Sequence, residues 1–214
     1  MTGEPSAPDR VAAGHRIAEA LALHLAAVHP RTAAASLGGV TYAVLPTSSD
    51  EHALRVAEAF LGRINNRVPA VIGIGRLAAR PAELRRSHAD ADRALRVLGS
   101  GRSQRRAARL SDVYAASLLE ELTDRIAAED DLPDGPVIRL RAYDAQHNTA
   151  LTDTLEAWLS TFGDVAAAAD AVHIHPKTFR YRLKRLAVVA GIDLNDPEAR
   201  FEAMLQLRLN PPHP

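Results

Sequence analysis

Residues 165–191 read VAAAADAVHIHPKTFRYRLKRLAVVAG and predict two helices joined by a tight turn. The first is a short helix of small residues that Asp164 can cap, because an aspartate oxygen accepts hydrogen bonds from the free amides of a first helical turn. Pro176 suits the first position of the second helix, and Gly191 ends that helix. A short helix joined by a tight turn to a longer one is helix-turn-helix architecture.

The second helix, 176–190, is predicted to have two unlike faces. At about 100° per residue, one narrow apolar arc faces a core and contains Phe179, Leu183, Leu186 and Ala190. The opposite side is cationic with an aromatic hydroxyl, and it contains Lys177, Tyr181 and Lys184, with Thr178 and Arg185 on one flank and Arg180 on the other. Arg182 lies nearer the core boundary.

A helix of this kind fits the major groove of DNA, where Arg and Lys donate to guanine and Thr can touch a thymine methyl. Residues near the helix start usually read the bases. We therefore expect Lys177, Thr178, Arg180 and Tyr181 to contact bases. Lys184 and Arg185 are expected to bind phosphates, as is His175 at the head of the helix. The alternative is that this basic face is only solvated.

The charge of the chain supports DNA binding only if basic and acidic residues are segregated, because the 26 basic and 26 acidic residues of the whole chain cancel. Residues 146–214 hold seven Lys or Arg and eight Asp or Glu, yet every one of those acids lies outside the helix 176–190. That helix also carries both lysines of the chain. Long-range electrostatic steering should therefore be weak, while the local surface is basic.

Other chemistry is weakly represented. His173 and His175 are two residues apart, but two ligands do not make a metal site, so we expect neither a metal nor a cofactor. His173 instead occupies the turn, where a left-handed backbone is often required and His is tolerated. Gly73-Ile-Gly75 follows a strand but lacks the third glycine of a dinucleotide-binding loop. Without cysteine, a signal peptide or a long apolar run, the chain is expected in the cytoplasm, with no membrane partner.

The N-terminal half predicts a small α+β domain. Its elements are a helix over 9–28, a hairpin around Gly38-Gly39, a helix over 50–64, a strand over 70–75 and a helix from Pro81 to Gly99. The resulting division is a disordered N-terminus over 1–8, the α+β domain over 9–105, a helical connecting region over 106–145 and an all-α helix-turn-helix domain over 146–210.

The C-terminal segment from Leu151 to Leu209 resembles the C-terminal helix-turn-helix domain of the PucR/CdaR family of bacterial transcriptional regulators. The residues that carry this resemblance are Thr154-Leu155, the alanine-rich first helix, His175, Thr178, the run Arg180–Leu183 and the sequence G-x-D-L-x-D-P-E-x-R from Gly191 to Arg200. It implies a regulator of transcription whose helix 176–190 enters the major groove of double-stranded DNA, and an effector that the sequence does not identify. Because one short helix reads only a few base pairs, we also expect a homodimer on DNA.

The same family often carries a GGDEF-like domain upstream, and residues 9–105 are similar to it in element order. The resemblance implies an α+β fold class, a small two-layer, ferredoxin-like domain followed by the all-α domain. In the catalytic relatives of this domain, Gly-Gly-Asp-Glu-Phe lies in a hairpin and its acids help bind metal, whereas this chain has Gly38-Gly39-Val40-Thr41-Tyr42. Without those carboxylates, cyclase chemistry should be absent, and the domain should serve dimerisation or signal relay.

Two departures and two alternatives accompany this resemblance. The usual first strand of a GGDEF-like domain is hard to find before residue 9, and the sensory region common in these regulators is not recognised. The chain is thus expected to be a fragment or a short member. One alternative is that the hairpin glycines retain nucleotide or effector binding. The other is a protein-interaction or nucleotide-sensing adaptor that has lost DNA binding.

Overall fold

A computed structural model of the chain describes residues 7–64, 69–129 and 134–209, with side chains from residue 14 onward. The chain divides into two compact units after Leu118. The predicted disordered segment 1–8 lies mostly outside the described residues, and residues 7 and 8 already belong to the first helix.

The N-terminal unit alternates helices and short strands, as the sequence predicts. Its elements are α1 (Ala7–Val28), β1 (Ala33–Leu37), β2 (Val40–Val44), α2 (Asp50–Ile64), β3 (Ile72–Ile74), α3 (Leu84–Gly99), β4 (Ala107–Arg109) and α4 (Tyr114–Glu129), the last of which runs past the division between the units. The α+β class is confirmed. The described strands form two separate pairs, β1 with β2 and β3 with β4, and not one continuous ferredoxin-like sheet.

The predicted glycine hairpin is confirmed. Strands β1 and β2 pair antiparallel, with Leu37 opposite Val40. The two turn residues Gly38 and Gly39 have φ of 59° and 83°, and two consecutive positive φ values are the requirement of the tight turn that suits the twist of a hairpin. The glycines are thus accounted for by backbone geometry alone.

Strand β3 packs against α3 so closely that its glycines are required. A Cβ on Gly73 would lie 2.2 Å from the carbonyl oxygen of Ala91, and one on Gly75 would lie 1.9 Å from that of Ser87. Both contacts are with helix backbone, which cannot move aside. The Gly73-x-Gly75 pattern therefore reflects the packing of strand on helix, and β3 pairs on its edge with the parallel strand β4.

Polar side chains join the remaining elements of this unit. Buried His24 on α1 donates from Nε2 to the carbonyl of Val56 on α2 at 3.1 Å. Arg109 on β4 pairs with Asp112 at 2.9 Å and with Asp50, at the start of α2, at 3.4 Å. Its guanidinium holds the pKa of Asp112 below the usual range. The bonds His24–Val56 and Arg109–Asp50 connect segments that are far apart in the sequence.

Among the described residues, the C-terminal unit contains five complete helices around one core. They are α5 (Pro136–His147), α6 (Leu151–Ser160), α7 (Val165–Ala171), α8 (Pro176–Ala190) and α9 (Pro197–Leu209). Leu155, Phe179 and Leu186 have no exposed surface and form the centre of this core. At about 1.5–3 kcal/mol for each fully buried large apolar side chain, they supply much of the stabilisation.

The interval 106–145, predicted as a connecting region, contributes to both units. Strand β4 completes the β3 pair in the N-terminal unit. Helix α5 belongs to the C-terminal unit, where Val137 and Leu140 are fully buried against the helix-turn-helix residues. Residues 130–133, in the acidic break between α4 and α5, lie outside the described residues.

Candidate nucleic-acid interface

The turn between α7 and α8 is built by backbone hydrogen bonds around one left-handed residue. His173 has φ of 54°, as the sequence predicts. The amide of Ile174 donates to the carbonyl of Ala169 at 3.0 Å, and that of His173 donates to Asp170 at 3.1 Å. This paired arrangement is the Schellman motif, which satisfies the last carbonyls of a helix while the chain reverses. It fixes the direction in which α8 leaves α7.

Helix α7 is short, and its start and its contact face are specified by sequence. Asp164 caps it as predicted, with Oδ1 accepting from the amides of Ala166 at 2.8 Å and Ala167 at 3.1 Å. Ala168 and Ala169 are completely buried. Because these side chains end at Cβ, α7 can approach the rest of the unit closely.

Helix α8 begins at Pro176 with His175 as its N-cap. The Nδ1 atom of His175 accepts a hydrogen bond from the amide of Lys177 at 3.1 Å. In a neutral imidazole the other nitrogen then carries the proton, so Nε2–H of this exposed ring is a donor directed away from the cap. A metal ion on either ring nitrogen would end this cap, because Nδ1 would be occupied or would have to take the proton of Nε2.

The two predicted faces of α8 are confirmed by burial. Phe179, Leu186 and Ala190 are completely buried, and Leu183 packs partly buried against the same core. All seven predicted contact residues are exposed, namely His175, Lys177, Thr178, Arg180, Tyr181, Lys184 and Arg185. The outward row ends at Val188, which is 77% exposed. The chemistry suited to DNA is therefore concentrated in the first three turns of the helix.

The basic face of α8 keeps its charge. Within the described part of the chain, none of the five cations of α8 forms an ion pair, whereas arginines elsewhere, such as Arg76, Arg80 and Arg109, are bound to carboxylates. A cation without a carboxylate partner is available to a phosphate or to a base edge. Segregation of charge, which DNA binding requires of this neutral chain, is thus present in the fold.

Helix α5 supports the end of α8 and the start of α6. The sequence predicted it only as part of the helical connecting region 106–145. The guanidinium of Arg139 donates twice to the carbonyl of Ala190, at 3.0 and 2.7 Å, and so closes the C-terminal end of α8. A cation at this end of a helix also interacts favourably with the helix dipole. Gly135 and Pro136, a typical helix start, were the signal that could have revealed α5.

Asp144 on α5 caps the next helix, α6. Its carboxylate accepts from the amides of Leu151 and Thr152, both at 2.8 Å, and from the hydroxyls of Thr149 and Thr152. Burial alone would raise the pKa of Asp144, but these hydrogen bonds outweigh burial and hold the pKa below its usual range. The residue before α6, Ala150, has no side chain that could cap it, so the cap comes from α5.

A third residue of α5, Tyr143, meets the basic face. Its hydroxyl accepts a hydrogen bond from Nη2 of Arg185 at 2.8 Å, and the guanidinium carbon lies 5.5 Å from the ring centroid. The bond to Tyr143 raises the pKa of the Arg185 guanidinium. The Tyr143 ring also stacks on His147 at 4.0 Å between centroids. No sequence pattern pointed to this contact across 42 residues.

Gly38-Gly39-Val40-Thr41-Tyr42, the segment aligned with the GGDEF sequence, has different surroundings. In strand β2, Thr41 bonds to Ser36 across the hairpin at 3.1 Å, and Tyr42 stacks on His88 of α3 at 4.6 Å. These side chains serve the hairpin and its packing. Among the helices that the structure describes, none is long and apolar enough to cross a membrane.

Comparison with known proteins matches both units to protein families. Residues 151–209 match the PucR C-terminal helix-turn-helix domain, and residues 3–97 match the GGDEF-like domain. The chain is similar to the DNA-binding transcriptional activator AdeR of Bacillus subtilis, with 34% identity over 71 residues. It is also similar to the proline-responsive transcriptional activator PutR of the same organism, with 36% identity over 70 residues.

Each of these two similarities covers 33% of this chain and 17% of the relative. The chain thus spans about a sixth of the length of the curated relatives that it matches, and the likeness is confined to one domain. The chain therefore carries a GGDEF-like domain followed by a PucR C-terminal helix-turn-helix domain.

Proposed function

We propose that this chain is a sequence-specific DNA-binding regulator of transcription, with α8 in the major groove of double-stranded DNA. The observation that carries the proposal is the outward face of α8, where seven exposed contact residues include four cations and no carboxylate. The match to the PucR helix-turn-helix domain and the names of AdeR and PutR, both transcriptional activators, support it.

The residues are assigned by their place on the helix. Lys177, Thr178, Arg180 and Tyr181 lie on the first two turns and are proposed to read base edges, since residues at the start of a recognition helix reach deepest into the groove. Lys184 and Arg185 lie one turn further on and are proposed to bind phosphates. His175 uses Nδ1 for the cap and is proposed to donate from Nε2 to a phosphate at the groove edge.

The protein acts as a homodimer on DNA in this proposal. One short recognition helix reads only a few base pairs, so a useful degree of specificity needs two copies on repeated half-sites. The GGDEF-like domain is proposed to be non-catalytic and to serve dimerisation or the relay of an effector signal, because Val40 and Thr41 replace the metal-binding acids. We propose that the protein acts in the cytoplasm, where the DNA of a bacterial cell lies.

Selection of duplexes from a random pool by the full chain tests the proposal. We expect enrichment of one sequence. Lys177→Ala and Arg180→Ala should each weaken binding to that sequence by about 1–3 kcal/mol and relax the preference at one base position. Arg200→Ala is the matched control, because it removes a cation from α9, a helix that is not proposed to contact DNA, and it should leave the preference unchanged.

Circular dichroism first checks that the chain is folded. If the folded chain then enriches no sequence from the pool, DNA recognition is rejected and the adaptor alternative is favoured. Sedimentation of the complex tests the dimer separately, and one protomer on the selected site would exclude it. Incubation with GTP and Mg²⁺ tests the non-catalytic assignment, which a cyclic dinucleotide product would overturn.

A further inference from the structure

One residue proposed to contact DNA touches a side chain from outside α8. Helix α5 lies beside α8 in the core, and Tyr143 is the residue of α5 whose side chain contacts a proposed DNA contact, Arg185. The bond between Arg185 and Tyr143 is exposed to solvent. The bond from Arg139 of α5 to the carbonyl of Ala190 is partly buried and serves only to hold the end of α8.

We propose that Tyr143 and Arg185 together form a subsite for one phosphate of the DNA backbone. The inference rests on the proposed function and names a second helix as part of the same surface. Arg185 supplies the charge, and Tyr143 holds the guanidinium beside α8. The phenolic oxygen of Tyr143 accepts a hydrogen bond from Arg185, so Tyr143 acts on the phosphate by positioning the guanidinium.

The partner of Arg185 is neutral, and this matters for the chemistry. A carboxylate in place of the Tyr143 hydroxyl would cancel the charge that a phosphate needs. The hydroxyl uses one N–H of the guanidinium at 2.8 Å and leaves the others free. Arginine presents five donors in a planar fork, which suits bidentate binding of phosphate oxygens. Arg185 is therefore held in place without being neutralised.

Tyr143 is itself fixed, so it can fix Arg185. Its ring is partly buried against the core and stacks on His147 with an interplanar angle of 16°. Nδ1 of His147 donates to the carbonyl of Tyr143 at 3.0 Å, which holds the imidazole under the ring. A long side chain loses rotamer freedom when it binds a partner, and a side chain already held by a rigid ring loses less. The geometry thus prepares Arg185 for binding.

The test is a double-mutant cycle on the full chain with its selected duplex, read by fluorescence anisotropy over a range of salt concentrations. Tyr143→Phe removes only the hydroxyl, and we expect it to weaken binding about threefold to tenfold, the range for one hydrogen bond. Arg185→Gln should weaken binding more. It should also reduce the magnitude of the negative slope of log association constant against log salt concentration by about 1. The double variant should bind no worse than Arg185→Gln.

Two features separate this subsite from a structural role for Tyr143. A phosphate contact weakens all duplexes by the same factor, so Tyr143→Phe should leave the sequence preference unchanged. In an Arg185→Lys background, which keeps the charge but loses the planar fork, Tyr143→Phe should have a much smaller effect. Thermal unfolding of Tyr143→Phe should match that of the wild type.

Additive losses in the cycle, or an equal effect of Tyr143→Phe in the Arg185→Lys background, would overturn the subsite. If Tyr143→Phe lowers the stability of the fold, its effect on affinity is still compared between the wild-type and the Arg185→Lys backgrounds. The loss of stability is common to both backgrounds, so a difference between them still reports on the subsite. Failure of the wild type to select any duplex, by contrast, rejects the proposed function itself. Arg200→Gln serves as the charge control and should not interact energetically with Tyr143.

Discussion

At the scale of single residues, the fold depends on a few side chains that satisfy backbone geometry. His173 has a left-handed backbone in the turn between α7 and α8, and Asp144 caps α6 from the neighbouring helix α5. Both residues are polar, and neither contributes an apolar side chain to the hydrophobic core. His173 adopts the backbone conformation of the turn, and Asp144 accepts hydrogen bonds from backbone amides. Their contributions can be measured without disturbing the basic face of α8.

His173→Val should destabilise the C-terminal unit by about 1–2 kcal/mol, because a β-branched side chain is strained in the left-handed region. His173→Gly, the matched control, accepts positive φ freely and should keep the wild-type stability or exceed it. Urea unfolding followed by circular dichroism measures both. Equal stability of the two variants would show that the turn does not depend on backbone strain.

Asp144→Ala should cost about 0.5–2 kcal/mol at neutral pH, the range for loss of a helix N-cap. Because the folded chain lowers the pKa of Asp144, its stabilisation is present above the ordinary aspartate pKa of about 3.9 and is lost as the pH falls through the lower folded value. The difference between wild type and variant should therefore shrink in acid.

Urea unfolding at several pH values tests this dependence. Asp153→Ala, which removes another acid from the first turn of the same helix, is the control for the general effect of negative charge near a helix start. A difference that stays constant into strong acid would mean that the charge on Asp144 is not what stabilises α6.

At the scale of elements, the close packing of β3 on α3 limits which side chains the N-terminal unit accepts in that strand. Gly73→Ala should destabilise this unit by about 1–3 kcal/mol, the usual cost of overpacking, since its Cβ would meet the backbone of α3. Gly14→Ala, on α1, has nothing within 4 Å of the added carbon. That control should stabilise the unit by up to about 1 kcal/mol, and thermal unfolding would compare the two.

The sequence predicts elements well where the pattern is local. Helices α2, α7 and α8 begin and end where their caps, prolines and glycines indicate. Strand β4 was missed because Ala107 and Ala108 have little preference for strands, and its conformation depends on pairing with β3. Helix α5 was predicted only as part of a helical connecting region because its buried face is short, consisting of Pro136, Val137 and Leu140. Tertiary contact decides such elements.

The same distinction holds in the candidate site. The outward residues of α8 could be predicted because helical phasing fixes which side chains face away from Phe179 and Leu186. The roles of Arg139, Tyr143 and Asp144 could not, because each acts on a residue from 7 to 51 positions away in the chain. Phasing locates a face on one helix, whereas support from another helix requires the fold.

At the scale of the whole molecule, the two units have separate hydrophobic cores. All buried residues of the C-terminal core lie between Val137 and Ala203. A fragment of residues 134–214 should therefore fold and unfold cooperatively by itself, as compact domains commonly do. Calorimetry and circular dichroism on the fragment measure this, and an unfolded fragment would show that the C-terminal unit needs the rest of the chain.

The balance of charge in residues 146–214, seven basic against eight acidic with five of the basic residues on α8, bears on competition within a genome. Affinity for arbitrary DNA comes almost entirely from neutralised phosphates. We expect a unit that presents one cationic helix to gain little affinity on arbitrary sequences. In the proposed regulator, occupancy of the cognate site then depends mainly on the fit of α8 to its bases.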